Sequence, residues 1–302
     1  MIRRLPTLLL ITAIFCVGIS GILAKRAFVE ATPLALAAWR LGFASLFFLS
    51  AYRFTAKRGA RPPLTRIEKV RLACGGAALV LHFLTWYGSL TLTKVAISTL
   101  LCSSTPLWTA LINMLSGRQR ERGLFWISLL VAGIGVAFVI QPHGQAMSSR
   151  ALLGAVLATI GGLAFSLYLW CVDGHQHLTS QRIVTNTYSA AAVILWALLI
   201  FTHGVTIHYS ASVWEAILLV TLIPQIMGHT LLNNSLRYFT ATVVAFCTLV
   251  EPVIAAVLAH FLLGERITPA QIGGGALVLI SLALVLAGGQ KSQAQPAMAE
   301  EL

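Results

Sequence analysis

Charge is scarce in this chain, and acidic charge most of all. Of 302 residues only 10% are Asp, Glu, Lys or Arg, with nine acidic against 21 basic. A water-soluble domain of this length needs far more charged surface, so that class is excluded. Cysteine is sparse as well. Cys16, Cys74, Cys102, Cys171 and Cys247 are odd in number, lie in apolar segments and have no metal-ligand spacing. That excludes a disulfide framework and leaves small packing residues. There is no Gly-rich phosphate loop and no carboxylate pair within an apolar segment, so enzyme chemistry and a cofactor find no footing. His175 and His177 beside Asp173 look like a metal trio, but they fall between two apolar segments and read as a solvated turn.

What fills the chain is apolar residue, 58% of it, with a mean hydropathy of +0.85. Ten apolar segments follow one another, at about 6–26, 33–53, 70–90, 95–115, 123–141, 151–171, 183–203, 212–234, 240–263 and 270–288. Runs of about 20 residues suffice for a helix to cross about 30 Å of hydrocarbon. In lipid the backbone must bond to itself, so such runs read as helices. The first segment, Leu5 to Ala24, is longer than the core of a cleaved leader and lacks its small-residue exit, and it reads as a retained helix.

The basic residues divide the segments into two sets of five. Between segments two and three lie Arg53, Lys57, Arg58, Arg61, Arg66, Lys69 and Arg71, whereas the matching stretch of the second set, Thr202 to Val213, has no Lys or Arg. Five is odd, so the second set enters the membrane from the opposite side. Basic residues mark the cytoplasmic side, and a basic loop matched by a basic-free one is what an inverted repeat looks like. Counted with the N-terminus inside, 15 Lys and Arg fall on the inner side and five on the outer, which puts both termini in the cytoplasm. The net charge of +12 sits in these short loops, where orientation and lipid headgroups explain it, so nucleic acid is not an expected partner. The fold expected is an all-α polytopic membrane protein, ten transmembrane helices in two inverted five-helix repeats. Residues 1–142 form the first repeat, 143–150 the connection, 151–288 the second repeat and 289–302 a disordered cytoplasmic tail. Sequence identity between the halves is thin: a shift of 146 superposes Ser89-Leu90 on Ser235-Leu236, Pro106 on Pro252 and Ala110 on Ala256.

Several motifs resemble one family. They are Thr105-Pro106-Leu107 in the fourth segment, Glu251-Pro252-Val253 in the ninth, and Gly264-Glu265-Arg266-Ile267-Thr268 leading into Gln271-Ile272-Gly273. Gly18 followed by Lys25, Trp39-Arg40 and Gly228-His229 add to them. With the two sets of five segments, the chain resembles an EamA-type member of the drug/metabolite transporter superfamily along nearly its whole length. Val17 stands where that family commonly has Trp, and Arg118-Gln119 replaces a Gly-Glu pair. The resemblance implies a ten-helix fold that moves small metabolites, often outward, with amino acids or related compounds as candidates. A bacterial-type inner membrane is the expected location, with the bilayer and a small solute as partners and protons as a candidate coupling ion. Two other readings stay open: an integral membrane enzyme built on an intramembrane Glu251–His229 pair, and a membrane sensor or scaffold that transports nothing.

The candidate cavity residues are Ser20, His82, Trp86, Thr105, Gln225, His229, Asn233 and Glu251. Glu251 is the only carboxylate near the middle of a segment. An ionised carboxylate there is expensive, so it should face the bundle interior, either contacting solute or a coupling proton or bonding a neighbouring helix. Pro252 removes a backbone donor and frees a carbonyl near Thr248. Gln225, His229 and Asn233 recur every four residues and share a helical face that lipid would not tolerate; a wet wall and interhelical bonding both fit. Thr105 stands opposite Glu251 in the repeat and precedes Pro106, within a small-residue seam of Ser98, Cys102, Thr105 and Thr109. His82 and Trp86 lie one turn apart, as a solute wall or a satisfied buried pair. Ser20 ends a Thr12, Cys16, Ser20 stripe; Phe165, Tyr168 and Trp170 supply aromatic surface, with Trp170 the best interfacial anchor. Arg40 lies roughly 10 Å from the outer end of its helix at 1.5 Å per residue. It either snorkels to the headgroups or pairs with a carboxylate or anionic solute inside.

Overall fold

The computed structural model describes residues 4–56, 63–93, 95–118, 121, 123–140, 148–175, 177–202, 204–263 and 268–287. Lys57, Arg58, Arg61, Lys94, Arg122, the Gly264–Ile267 motif, most of the 143–150 connection and the 289–302 tail lie outside them. Among the described residues all regular structure is helical, without strands. The helices are α1 (Arg4–Gly18), α2 (Ser20–Ala27), α3 (Pro33–Ala56), α4 (Arg66–Leu92), α5 (Val95–Cys102), α6 (Thr105–Leu115), α7 (Gly123–Ile140), α8 (Ser149–Asp173) and α9 (Ser180–Thr202). There follow α10 (Ala211–Val220), a π-helix (Thr221–His229), α11 (Thr230–Ser235), α12 (Ala241–Cys247), a 3-10 turn (Thr248–Val250), α13 (Glu251–Leu263) and α14 (Pro269–Ala287).

Each of the ten apolar segments is helical. Among the described residues five stretches are long and apolar enough to cross a membrane: Leu5–Ala27, Pro33–Phe54, Ser149–Asp173, Ser180–Thr202 and Ala211–Ser235. The remaining segments are shorter, interrupted, or diluted by polar residues such as His82, Thr85 and Ser89 in α4.

Helix starts follow local chemistry. Thr65 and Glu68 form a capping box at α4, in which Glu68 N–H donates to Thr65 Oγ1 at 3.3 Å and Thr65 N–H donates to Glu68 Oε2 at 2.6 Å. Ser148 accepts from Ala151 N–H at 3.2 Å, which starts α8 at Ser149, two residues before the expected 151. Thr32 accepts from Ala35 N–H at 3.1 Å ahead of Pro33, and Thr240 accepts from Val243 N–H at 3.3 Å.

Packing couples the two halves by exchange. With the apolar segments numbered one to ten, segment three (α4) packs on segment six (α8), and segment one (α1–α2) on segment eight (α10, π-helix, α11). Segment four (α5–α6) packs on six, and nine (α13) on one; α3 pairs with α9, α7 with α14, and α6 with α12. Replacing each number by its counterpart five positions on returns the same set of pairs. The outward faces stay apolar: Leu8, Phe15, Phe47, Phe138, Val193 and Phe201 are exposed. So much apolar surface marks a face made for something other than water.

Candidate functional site

Four of the ten segments lose regular α geometry at mid-length. The first breaks at Ile19, between α1 and α2. The fourth breaks at Ser103-Ser104 and restarts at Thr105 with Pro106 in the first turn of α6. The eighth carries the nine-residue π-helix, with Pro224 inside it. The ninth tightens into the 3-10 turn Thr248–Val250 just before Glu251-Pro252. Proline explains three of these, since it has no N–H to donate to the carbonyl one turn back. Such breaks leave backbone groups to be satisfied elsewhere. Thr105 answers one of them, its Oγ1 donating at 2.9 Å to the carbonyl of Cys102, four residues before Pro106, while Ser166 Oγ of α8 lies 2.9 Å from the Thr105 carbonyl and 3.0 Å from that of Gly162.

The breaks meet at one cavity. Its wall includes Val17 and Ser20 from the first segment, His82 and Trp86 from α4, and Cys102, Ser103 and Thr105 from the fourth. Phe165 of α8, His229 and Leu232 of the eighth, and Thr248 and Glu251 of the ninth close it. Six of the eight candidate residues therefore come together: Ser20, His82, Trp86, Thr105, His229 and Glu251. The wall is aromatic on one side. The His82 ring stacks on Trp86 at 5.7 Å between centroids and lies 5.0 Å from Phe165; His229 meets Phe165 edge-on at 5.5 Å. His82 Nδ1 donates to the Gly161 carbonyl at 2.9 Å, which fixes the ring.

Gln225 and Asn233 do not join the wall. Gln225 Oε1 accepts from Arg40 Nε at 2.7 Å. Asn233 Nδ2 donates to Tyr168 OH at 2.5 Å and to the His229 carbonyl at 2.8 Å. Four-residue spacing puts the three on one side of the segment, and their partners separate them: Arg40 takes Gln225 inside the π-helix and Tyr168 takes Asn233 beyond it in α11, so of the three only His229 lines the cavity.

Arg40 does not snorkel. It is 0% exposed, and its charge is held inside the bundle. Nη1 donates to Ser20 Oγ at 2.9 Å and to Tyr87 OH at 2.6 Å, and the guanidinium lies 4.4 Å above the centre of the Phe83 ring. Nη2 is buried without a partner. Among the described residues no carboxylate lies within ion-pair distance of it. Tyr87, which orients this arginine, carries no periodicity signal in the sequence.

The other groupings resolve into local roles. His177 Nε2 pairs with Glu68 Oε1 at 2.7 Å and His175 Nδ1 donates to the Cys171 carbonyl at 3.1 Å, so the two histidines serve different partners. Trp170 is held between Arg71 and Arg118, whose guanidinium carbons lie 5.1 and 4.2 Å from its ring centre.

Comparison with known proteins agrees with this architecture. The profile of the EamA-like transporter family matches twice, over residues 4–141 and 152–287. The chain is similar to the threonine/homoserine exporter RhtA of Escherichia coli strain K12, 25% identical over 301 residues covering 96% of this chain and 94% of that one. It is 27% identical to RhtA of Salmonella typhimurium strain LT2 over 275 residues, covering 89% and 86%. An uncharacterized transporter, YwfM of Bacillus subtilis, is 22% identical over 291 residues, 95% of each chain. A solved crystal structure superposes with a TM-score of 0.77 at 16% identity, covering 93% of this chain and 96% of that one, which speaks to fold alone. With both halves matched, this chain belongs to the EamA-like transporter family.

Proposed function

We propose that this protein is a secondary transporter that exports small organic metabolites across the bacterial inner membrane by alternating access. Amino acids or related compounds are the favoured solutes. The observation that carries the reading is the convergence of four interrupted helices on one cavity that holds a single carboxylate, Glu251. Discontinuous helices at mid-depth are how transporters present polar backbone and side chains to a solute. Ten helices span the bilayer as two inverted repeats, 1–142 and 151–288, with both termini cytoplasmic. The exchange of helix pairs between the halves supports the repeat, and the contrast between the basic 53–71 stretch and the basic-free 202–213 stretch supports its inversion. RhtA of Escherichia coli is by name a threonine/homoserine exporter, which supports the solute class and direction. Glu251 is the site of proton coupling, because a lone carboxylate inside a membrane bundle is a functional residue by default.

The test is flux. Purified protein in proteoliposomes is given L-threonine and L-homoserine in turn, with and without an imposed pH gradient. Saturable movement that the gradient accelerates is the expected result. Saturable movement indifferent to the gradient makes the protein a facilitator. No movement of any amine or acid in a broad panel turns the reading toward a sensor or scaffold.

A further inference from the structure

We propose that Arg40, acting through Ser20, makes the cavity select solutes that carry a carboxylate. This rests on the transport reading above and names the group that the site recognises. A guanidinium is a cation with five donors in a planar fork. The bundle satisfies only part of that fork: Nε by Gln225, Nη1 by Ser20 and Tyr87, with Nη2 buried and unpartnered. A cation inside a membrane bundle pairs with an opposite charge or faces a functional space. Among the described residues no protein carboxylate pairs with it, and the space one bond away is the cavity.

Ser20 is the connection. Its Oγ accepts from Arg40 Nη1, and the residue is part of the cavity wall. A hydroxyl that accepts from a guanidinium keeps its own proton to donate, and the charge behind it makes it a better donor. The acceptor best matched to such a donor is an anionic oxygen. Glu251, elsewhere on the same wall, offers the opposite charge for an ammonium. A solute with both groups, an α-amino acid, answers both ends, with His82, Trp86 and Phe165 along its body. Arg40 is then a positioning residue, one layer behind the contact. Tyr87 and Gln225 hold its fork in place, which a lysine could not reproduce.

The experiment compares L-threonine with L-threoninamide, which lacks the carboxylate, in proteoliposomes of the full chain. Wild-type protein should prefer the acid by about tenfold, the worth of one charge-assisted hydrogen bond. Ser20→Ala and Arg40→Gln should each lower threonine flux and bring the acid-to-amide ratio near one, and Arg40→Lys should recover part of the ratio. A purely structural clamp would lower both fluxes together and leave the ratio unchanged, which overturns the proposal. If Arg40→Gln does not fold, Ser20→Ala decides alone, because it leaves the Arg40 bonds to Tyr87 and Gln225 intact. Wild-type vesicles that move both compounds alike remove the carboxylate assignment only. Vesicles that move neither remove the amino-acid reading and this assignment with it.

Discussion

Gly162 of α8 lies directly against the carbonyl of Cys102, the last residue of α5: a Cβ on Gly162 would sit 2.5 Å from that oxygen. The contact falls where the fourth segment breaks, beside Ser166 and its bonds to the Thr105 and Gly162 carbonyls. Backbone is the obstacle, so no rotamer change relieves it. Gly162→Ala should therefore destabilise the protein by about 1–3 kcal/mol, the usual cost of overpacking. Thermal unfolding in detergent checks this. A variant as stable as wild type would mean that α5 and α8 can separate freely.

The Arg53–Lys69 stretch and the Thr202–Val213 stretch should lie on opposite sides of the membrane, the first inside. In a background without the five native cysteines, Arg66→Cys should be shielded from an impermeant thiol reagent in intact cells. Ser212→Cys should label. Both positions are exposed on the protein, so accessibility reports sidedness alone. Labelling of both from outside would end the inverted-repeat argument.

Glu68 gives a pH signature at the α4 end of the molecule. The Thr65 backbone N–H first, then His177 and the Thr65 hydroxyl, pull its carboxyl down to about 2 from 4.5. A lowered folded-state value means that its contribution is complete above the unfolded value and is lost as pH falls through the folded one. Wild-type thermal stability should thus carry a component that disappears between pH 4.5 and about 2. Glu68→Gln should lack that component and be flat where wild type slopes. Identical slopes in the two proteins would show that the capping box and His177 contact do not hold in solution.

If Glu251 couples protons, Glu251→Gln should fold normally and still bind solute but lose the acceleration of flux by a pH gradient. Glutamine keeps the shape and much of the hydrogen bonding while removing the titration. Normal gradient-driven flux in the variant rules out coupling at this residue. Lost binding moves Glu251 to solute recognition, and a failure to fold makes it structural.

In the state described here, His229→Cys should react with a small hydrophilic thiol reagent, and solute should protect it. Gln225→Cys and Asn233→Cys should be far slower, because those positions point to Arg40 and Tyr168 and away from the cavity. Equal reactivity at all three would put Gln225 and Asn233 on the cavity wall beside His229.

The elements themselves were written in the sequence. Apolar runs of membrane length are a local, additive signal, and the helices lie within a few residues of where those runs put them. The cavity residues whose chemistry is costly in lipid, Glu251 and His229 among them, were legible for the same reason: a bilayer tolerates them only in the interior. Tertiary structure alone decided the rest. Whether Arg40 snorkels or is enclosed depends on Ser20, Tyr87 and Gln225, which come from three other segments. Periodicity along one helix does not encode them. Whether Gln225 and Asn233 join His229 at the cavity depends on Arg40 and Tyr168, which reach them from other segments. Sequence spacing marks the polar side of one helix, and only packing between segments decides which of its groups meets a cavity and which meets another helix.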